Sequence, residues 1–169
     1  MSSQKKWENY EQVTRQMLLD LKQYFGLDRV EEKGKLKGIS GEEWGIDVIA
    51  YKPEPGDLVI VECKQRSSSR IDRSTIAGFA YVIRDTQAKS GIFVISIGLQ
   101  EGAKRLAEYE NILVIELKVD ITDNSEDYIA KLANDIFGKV TDRLALRNFD
   151  SDIETVYLDY SPPEKFYDA

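Results

Sequence analysis

Three charged residues stand at the ends of two strongly apolar segments. Asp47 lies near the start of Ile46–Tyr51 (IDVIAY), and Glu62 and Lys64 close Leu58–Lys64 (LVIVECK). Side chains on a strand alternate between faces, so Glu62 and Lys64 share a face and Cys63 points the other way. If Tyr51 pairs with Leu58 across a hairpin, Asp47 comes to lie opposite Glu62, and all three charges gather at one end. Two carboxylates so close repel unless a cation lies between them. Mg²⁺ suits such a place: it prefers oxygen ligands and takes one or two protein carboxylates while keeping several waters. An ion held this way polarises a phosphoryl oxygen and lowers the pKa of a bound water. A lysine two residues on can orient that water or stabilise charge on phosphorus. The chemistry in question is phosphodiester hydrolysis. The same residues also read as rim charges where strand ends reach solvent, and spacing alone does not separate the two.

Composition narrows the alternatives. The chain has 169 residues, 42% hydrophobic and 31% charged, which suits one globular domain with a continuous core. It has no histidine, so a Ser–His–Asp triad and the commonest zinc ligand are excluded, and hydrolysis must run on carboxylates, lysine and a hard metal ion. Cys63 is the single cysteine; an intrachain disulfide is impossible, and a cytoplasmic location is expected. The formal charge of −7 argues against a protein that simply coats DNA, but not against a nuclease whose carboxylates a metal neutralises. No apolar run approaches a membrane span, and the polar N-terminus lacks the core of a signal peptide.

The elements that must position these residues follow from periodicity. Residues 7–25 predict a helix, with Tyr10, Val13, Thr14, Met17, Leu18, Leu21, Tyr24 and Phe25 on one stripe and Gly26 placed to end it. Residues 29–38 predict an exposed strand or loop, followed by a segment punctuated by Gly38, Gly41 and Gly45. The linker Lys52-Pro-Glu-Pro-Gly-Asp57 is turn chemistry and makes the two apolar segments a hairpin. Asp72 is a candidate cap for a helix reaching about residue 89, with Ile76, Phe79, Ala80 and Ile83 inward. Ile92–Ile97 and Ile112–Leu117 predict buried strands flanking a short helix over 100–110. Ser125 opens a longer amphipathic helix to about Leu146, and Thr155–Tyr160 predicts a late edge strand. Strands apolar on both faces need cover on both sides. The expected fold is therefore α/β: a mixed β-sheet with helices on both faces.

The blocks Gly45-Ile46-Asp47-Val48-Ile49-Ala50 and Val61-Glu62-Cys63-Lys64 resemble the catalytic core of the Mrr-like restriction endonucleases in the PD-(D/E)XK superfamily. The likeness continues through Gly78-Phe79, Gly91-Ile92-Phe93-Val94-Ile95-Ser96, Ala103, Ala107 and Ile112–Ile115, and covers about residues 7–117. It implies a restriction-endonuclease-like core and metal-dependent cleavage of double-stranded DNA. Asp47 and Glu62 would be ligands of Mg²⁺, with Mn²⁺ as a substitute, and Lys64 the catalytic lysine. Many Mrr-like members carry glutamine where Glu62 stands; glutamate is the ordinary superfamily residue. The family also tends to place a glutamate of its first helix near the metal. Glu11, on the border of the apolar stripe, fits that role better than Glu8, which lies toward solvent; the alternative is a surface carboxylate beside the core.

Around this centre, Gln65, Arg66, Arg70 and Arg73, interleaved with Ser67–Ser69, are candidate contacts to a DNA backbone. Lys33, Lys35 and Lys37 are read as a charged strand edge, with a second backbone contact as the alternative. Trp44 is read as a packing residue, and Ser90, Ser96 and Gly98 show no nucleophile arrangement. Residues 1–120 are expected to form the nuclease core, and 121–169 a helical extension packed on it with a loose acidic tail. No recognition motif stands out, so target choice is expected from a homodimer or a partner chain. A structure-specific nuclease resembling a Holliday-junction resolvase is a rival within the class. A non-cleaving binding subunit that keeps the nuclease fold is a rival from outside it.

Overall fold

The computed structural model describes residues 3–118, apart from 21, 23–25 and 67, together with 156–159. A helix, α1 (Ser3–Asp20), leads into the short strands β1 (Arg29–Glu31), β2 (Gly34–Lys37), β3 (Glu43–Ile46) and β4 (Val48–Tyr51). Then come β5 (Leu58–Lys64), α2 (Arg73–Asp85), β6 (Ser90–Ile95), α3 (Glu101–Tyr109), β7 (Leu113–Lys118) and β8 (Val156–Asp159). Six strands form one sheet in the order β1-β4-β5-β6-β7-β8, and β2 with β3 forms a separate ribbon. The β1, β4 and β5 pairings are antiparallel; β5, β6, β7 and β8 run parallel. This is the mixed α/β sheet expected from the strand patterns. The predicted helix over 125–146 and the tail lie outside the described residues, while the late edge strand is β8.

The alternation within each strand builds two cores. Val48, Ala50, Val59, Val61, Cys63, Ile92, Val94, Ile115 and Leu117 pack against Tyr10, Val13, Met17 and Leu18 of α1. Ile49, Ile60, Phe93, Ile95 and Val114 face the other way, onto Ile76, Phe79 and Ala80 of α2 and Ala103 and Ala107 of α3. Each buried apolar side chain contributes about 1.5–3 kcal/mol relative to exposure, and a one-residue slip of β5 would turn Glu62 and Lys64 into the α1 layer where Cys63 packs. Two polar side chains fasten helices to the layers. The Tyr10 hydroxyl donates to the Leu117 carbonyl at 2.9 Å, tying α1 to β7. Asp72 caps α2, accepting the Thr75 N–H at 2.9 Å.

The ribbon of β2 and β3 is clamped to the end of α2. Asp85, 8% exposed, accepts the Trp44 indole N–H at 2.7 Å, the Ser40 hydroxyl at 2.7 Å and the Ser40 backbone N–H at 2.9 Å. These donors hold its carboxyl below the ordinary aspartate value, with the Trp44 bond contributing most. Gly38 is required beside it, because a Cβ there would lie 1.7 Å from Asp85 Oδ2. Trp44 is a packing residue, as its sequence context suggests, and its ring meets Tyr81 edge-on at 6.0 Å.

Candidate active site

The hairpin register is Tyr51↔Leu58, Ala50↔Val59, Ile49↔Ile60 and Val48↔Val61, which is the register that brings Asp47 level with Glu62. The strand boundary differs from the sequence reading. Ile46 is not the first residue of the hairpin strand but the last of β3, paired with Gly34. Asp47 therefore sits on the bend where the chain leaves the ribbon and enters the main sheet. A residue at such a junction has no ladder partner in either sheet, so its side chain is available to bond the backbone opposite. Asp47 Oδ2 accepts the Cys63 N–H at 2.8 Å.

Glu62 and Lys64 flank the fully buried Cys63 on β5 and are themselves only partly accessible. Lys64 Nζ lies 2.5 Å from Glu62 Oε1. Burial raises the pKa of Glu62, and the nearby charge of Asp47 raises it further, against the pull of Lys64. Burial also raises Asp47, opposed in order by the Cys63 N–H, Lys64, Lys33 and a hydrogen bond with Glu11. Both carboxylates are thus placed where negative charge is costly, which is the condition a cation relieves.

Glu11 projects from α1 into this neighbourhood. Its carboxyl lies beside that of Asp47, and Lys33 Nζ stands 4.0 Å from its Oε2. The structure thus gathers Glu11, Asp47, Glu62 and Lys64 where α1, β4 and β5 meet. Among the described residues, no set of three or more acidic or cysteine side chains is arranged to hold a metal ion. Asp47 and Glu62 remain as a pair of oxygen donors. Such a pair fits Mg²⁺, which needs few protein carboxylates and retains water.

The predicted basic group is a separate feature, running along the loop after β5 to Arg73, the first residue of α2. Arg66, Arg70 and Arg73 are exposed and Gln65 is half-buried. The start of the loop is pinned by Ser96: the Arg66 N–H donates to Ser96 Oγ at 2.7 Å, and that hydroxyl donates to the Arg66 carbonyl at 2.9 Å. Sequence reasoning found no role for Ser96 because its partner lies on a neighbouring strand end. It grouped Lys33 with Lys35 and Lys37 as a strand edge or second backbone contact; only the fold separates Lys33, which reaches Glu11, from Lys35, which pairs with Glu43.

A family model described as restriction endonuclease, Mrr_cat, matches residues 4–119. No curated protein sequence matches the chain. A solved protein of unknown function, AF1548, aligns with a TM-score of 0.53 at 16% identity, over 77% of this chain and 67% of its own; the likeness is one of fold. A repair endonuclease from Pyrococcus abyssi aligns with a TM-score of 0.41 at 21% identity over 62% of this chain. The apo form of EndoMS aligns with a TM-score of 0.37 at 23% identity over 60%. The chain spans 46% and 44% of the lengths of these two proteins.

Proposed function

The chain belongs to the Mrr-type restriction endonuclease family, and on that premise we propose that it is a divalent-metal-dependent endonuclease that hydrolyses DNA phosphodiester bonds in restriction or defence. The observation that carries the reading is the convergence of Asp47 with Glu62 and Lys64 through the Val48↔Val61 register, with the two carboxylates disfavouring each other's charge. Asp47 and Glu62 would hold Mg²⁺, with Mn²⁺ as a substitute. An ion there supplies Lewis acidity toward a phosphoryl oxygen and a water.

The protein's own groups do the rest. The Cys63 N–H fixes Asp47 in place, so the carboxylate is oriented before substrate arrives. Lys64, held by Glu62, presents a positive charge to the oxygens on which negative charge builds as the bond to phosphorus breaks. Glu11, beside Asp47, would orient a water and take up its proton. Gln65, Arg66, Arg70 and Arg73 are assigned to phosphates along the strand; the last three are exposed to it. Target choice is assigned to a second copy or a partner chain.

The test is cleavage of supercoiled and linear DNA in Mg²⁺ or Mn²⁺, with chelator and Asp47→Asn as controls and a four-way junction as a parallel substrate. Metal-dependent cutting lost in Asp47→Asn supports the reading. Preference for the junction moves the protein to the resolvase-like class. Intact DNA under every condition, with no stabilisation by metal, leaves a binding subunit.

A further inference from the structure

The three lysines of the segment 33–37 look alike in sequence, but the fold sends them to different places. Lys35 pairs with Glu43 across the ribbon at 2.8 Å. Lys37 stands opposite Glu43 in the register, at the far end of β2. Lys33 lies at the other end, one step beyond the Gly34↔Ile46 pair, and the continuation of that register sets it against Asp47. Its charge acts on Asp47, and its Nζ stands 4.0 Å from Glu11 Oε2. The carboxylates therefore have a lysine on either side: Lys64 from β5 and Lys33 from the β1–β2 turn.

The two lysines are held differently. Lys64 is in close contact with Glu62 and its side chain is 30% exposed. Lys33 is 68% exposed and pairs with Glu11 only at the outer limit of an ion pair. An exposed pair at that distance contributes little to stability, so exchanging the carboxylate for another anion costs little. A polyanion approaching Glu11, Asp47 and Glu62 meets an acidic wall, and an exposed ammonium beside it offsets the repulsion. The ribbon that carries Lys33 is locked at its far end by Asp85, so the residue's backbone is fixed relative to the site.

We propose that Lys33 is a substrate-binding residue that contacts a backbone phosphate of the DNA strand beside the bond to be cut. This rests on the nuclease reading and adds a residue to it. A lysine that neutralises one phosphate releases about one counterion, so its loss makes the dependence of log K on log salt shallower by about 0.9.

The experiment measures binding of a fluorescent duplex to the whole chain in Ca²⁺ over a salt series, and cleavage in Mg²⁺, for the parent, Lys33→Ala, Lys33→Arg and Lys35→Ala. Lys33→Ala is expected to bind several-fold more weakly with a slope shallower by about 0.9, its loss in cleavage falling on KM rather than kcat. Lys33→Arg is expected to restore the slope. Lys35→Ala, which removes the same charge from the same ribbon, is expected to match the parent. If the parent binds and cuts DNA while Lys33→Ala keeps the parental slope, the assignment to Lys33 fails alone. A fall in kcat at unchanged slope makes Lys33 a clamp on Glu11 and also overturns it. A parent that neither binds nor cuts DNA removes the nuclease reading, and this inference with it.

Discussion

The carboxylate of Asp47 takes its hydrogen bond from the backbone N–H of Cys63, across the hairpin, at 2.8 Å. The acid that would bind metal is thus positioned by the sheet itself. Two substitutions should separate its structural and chemical parts. Asp47→Asn keeps an oxygen that can accept the Cys63 N–H, so it is expected to fold normally and lose metal-dependent cleavage. Asp47→Ala leaves that N–H without its acceptor and is expected to cost about 1–3 kcal/mol in addition. Denaturant melts and a plasmid-cleavage assay on both variants check this; equal destabilisation by Asn and Ala would show that charge, not the N–H bond, holds the residue.

The pH dependence follows from the raised pKa values of Asp47 and Glu62, which burial causes first in each case. A carboxyl that is easier to protonate folded than unfolded favours folding below its ordinary value, 3.8 for Asp47 and 4.5 for Glu62. That contribution is lost as pH rises through the raised folded value. In chelator, Asp47→Asn should therefore gain stability relative to the parent as pH rises from mildly acidic to neutral. Added Mg²⁺ should raise the parent's melting midpoint at neutral pH by mass action, and the mutant's far less. A difference between the two proteins that stays constant across that range would contradict the account.

Glu11 reaches Asp47 from a different element, so its removal should touch the site and spare the fold. Glu11→Gln is expected to reduce metal-dependent cleavage about ten- to a hundredfold with the melting midpoint nearly unchanged. Parental activity in this variant would return Glu11 to the surface class.

At the far end of the ribbon, Asp85 accepts three donors and has room for none of its own. Asp85→Asn would turn an amide N–H₂ toward at least one of those donors, and a lower melting midpoint is expected. Because the folded pKa of Asp85 is depressed, its contribution is present above the ordinary value of 3.8 and is lost as pH falls through the folded value. Gly38→Ala drives a Cβ into the same carboxylate and is expected to cost about 1–3 kcal/mol. If both variants melt with the parent, the clamp contributes nothing to stability.

The hairpin was legible from its turn, but its register only from the charges: strands apolar on both faces leave a slip open, and Tyr51↔Leu58 is the pairing that gathers Asp47, Glu62 and Lys64. The end of β3 was not. Ile46 is β-branched like the residues after it, and only its pairing with Gly34 assigns it to another sheet. Helix α1 is described as far as Asp20, and residues 21 and 23–25, over which the predicted helix continues, lie outside the described residues. Asp85 looked like any acidic residue near a helix end, since its donors lie 41 and 45 positions away. Lys33 could not be told from Lys35 because charge alternation carries no information about which end of a ribbon meets the site. What periodicity encodes is the face a residue occupies. What it omits is the neighbour brought there by another part of the chain.

Cys63 is the chain's one thiol, fully buried under α1 between Glu62 and Lys64. Burial pushes its pKa up, reinforced by the charge of Asp47, so the folded protein offers reagents neither a surface nor a thiolate. A thiol label therefore reacts only when the α1 side of the sheet opens. Its rate of incorporation is a clock built into the strand that carries the site, and any ligand that steadies Glu62 and Lys64 will slow it without a residue having been changed.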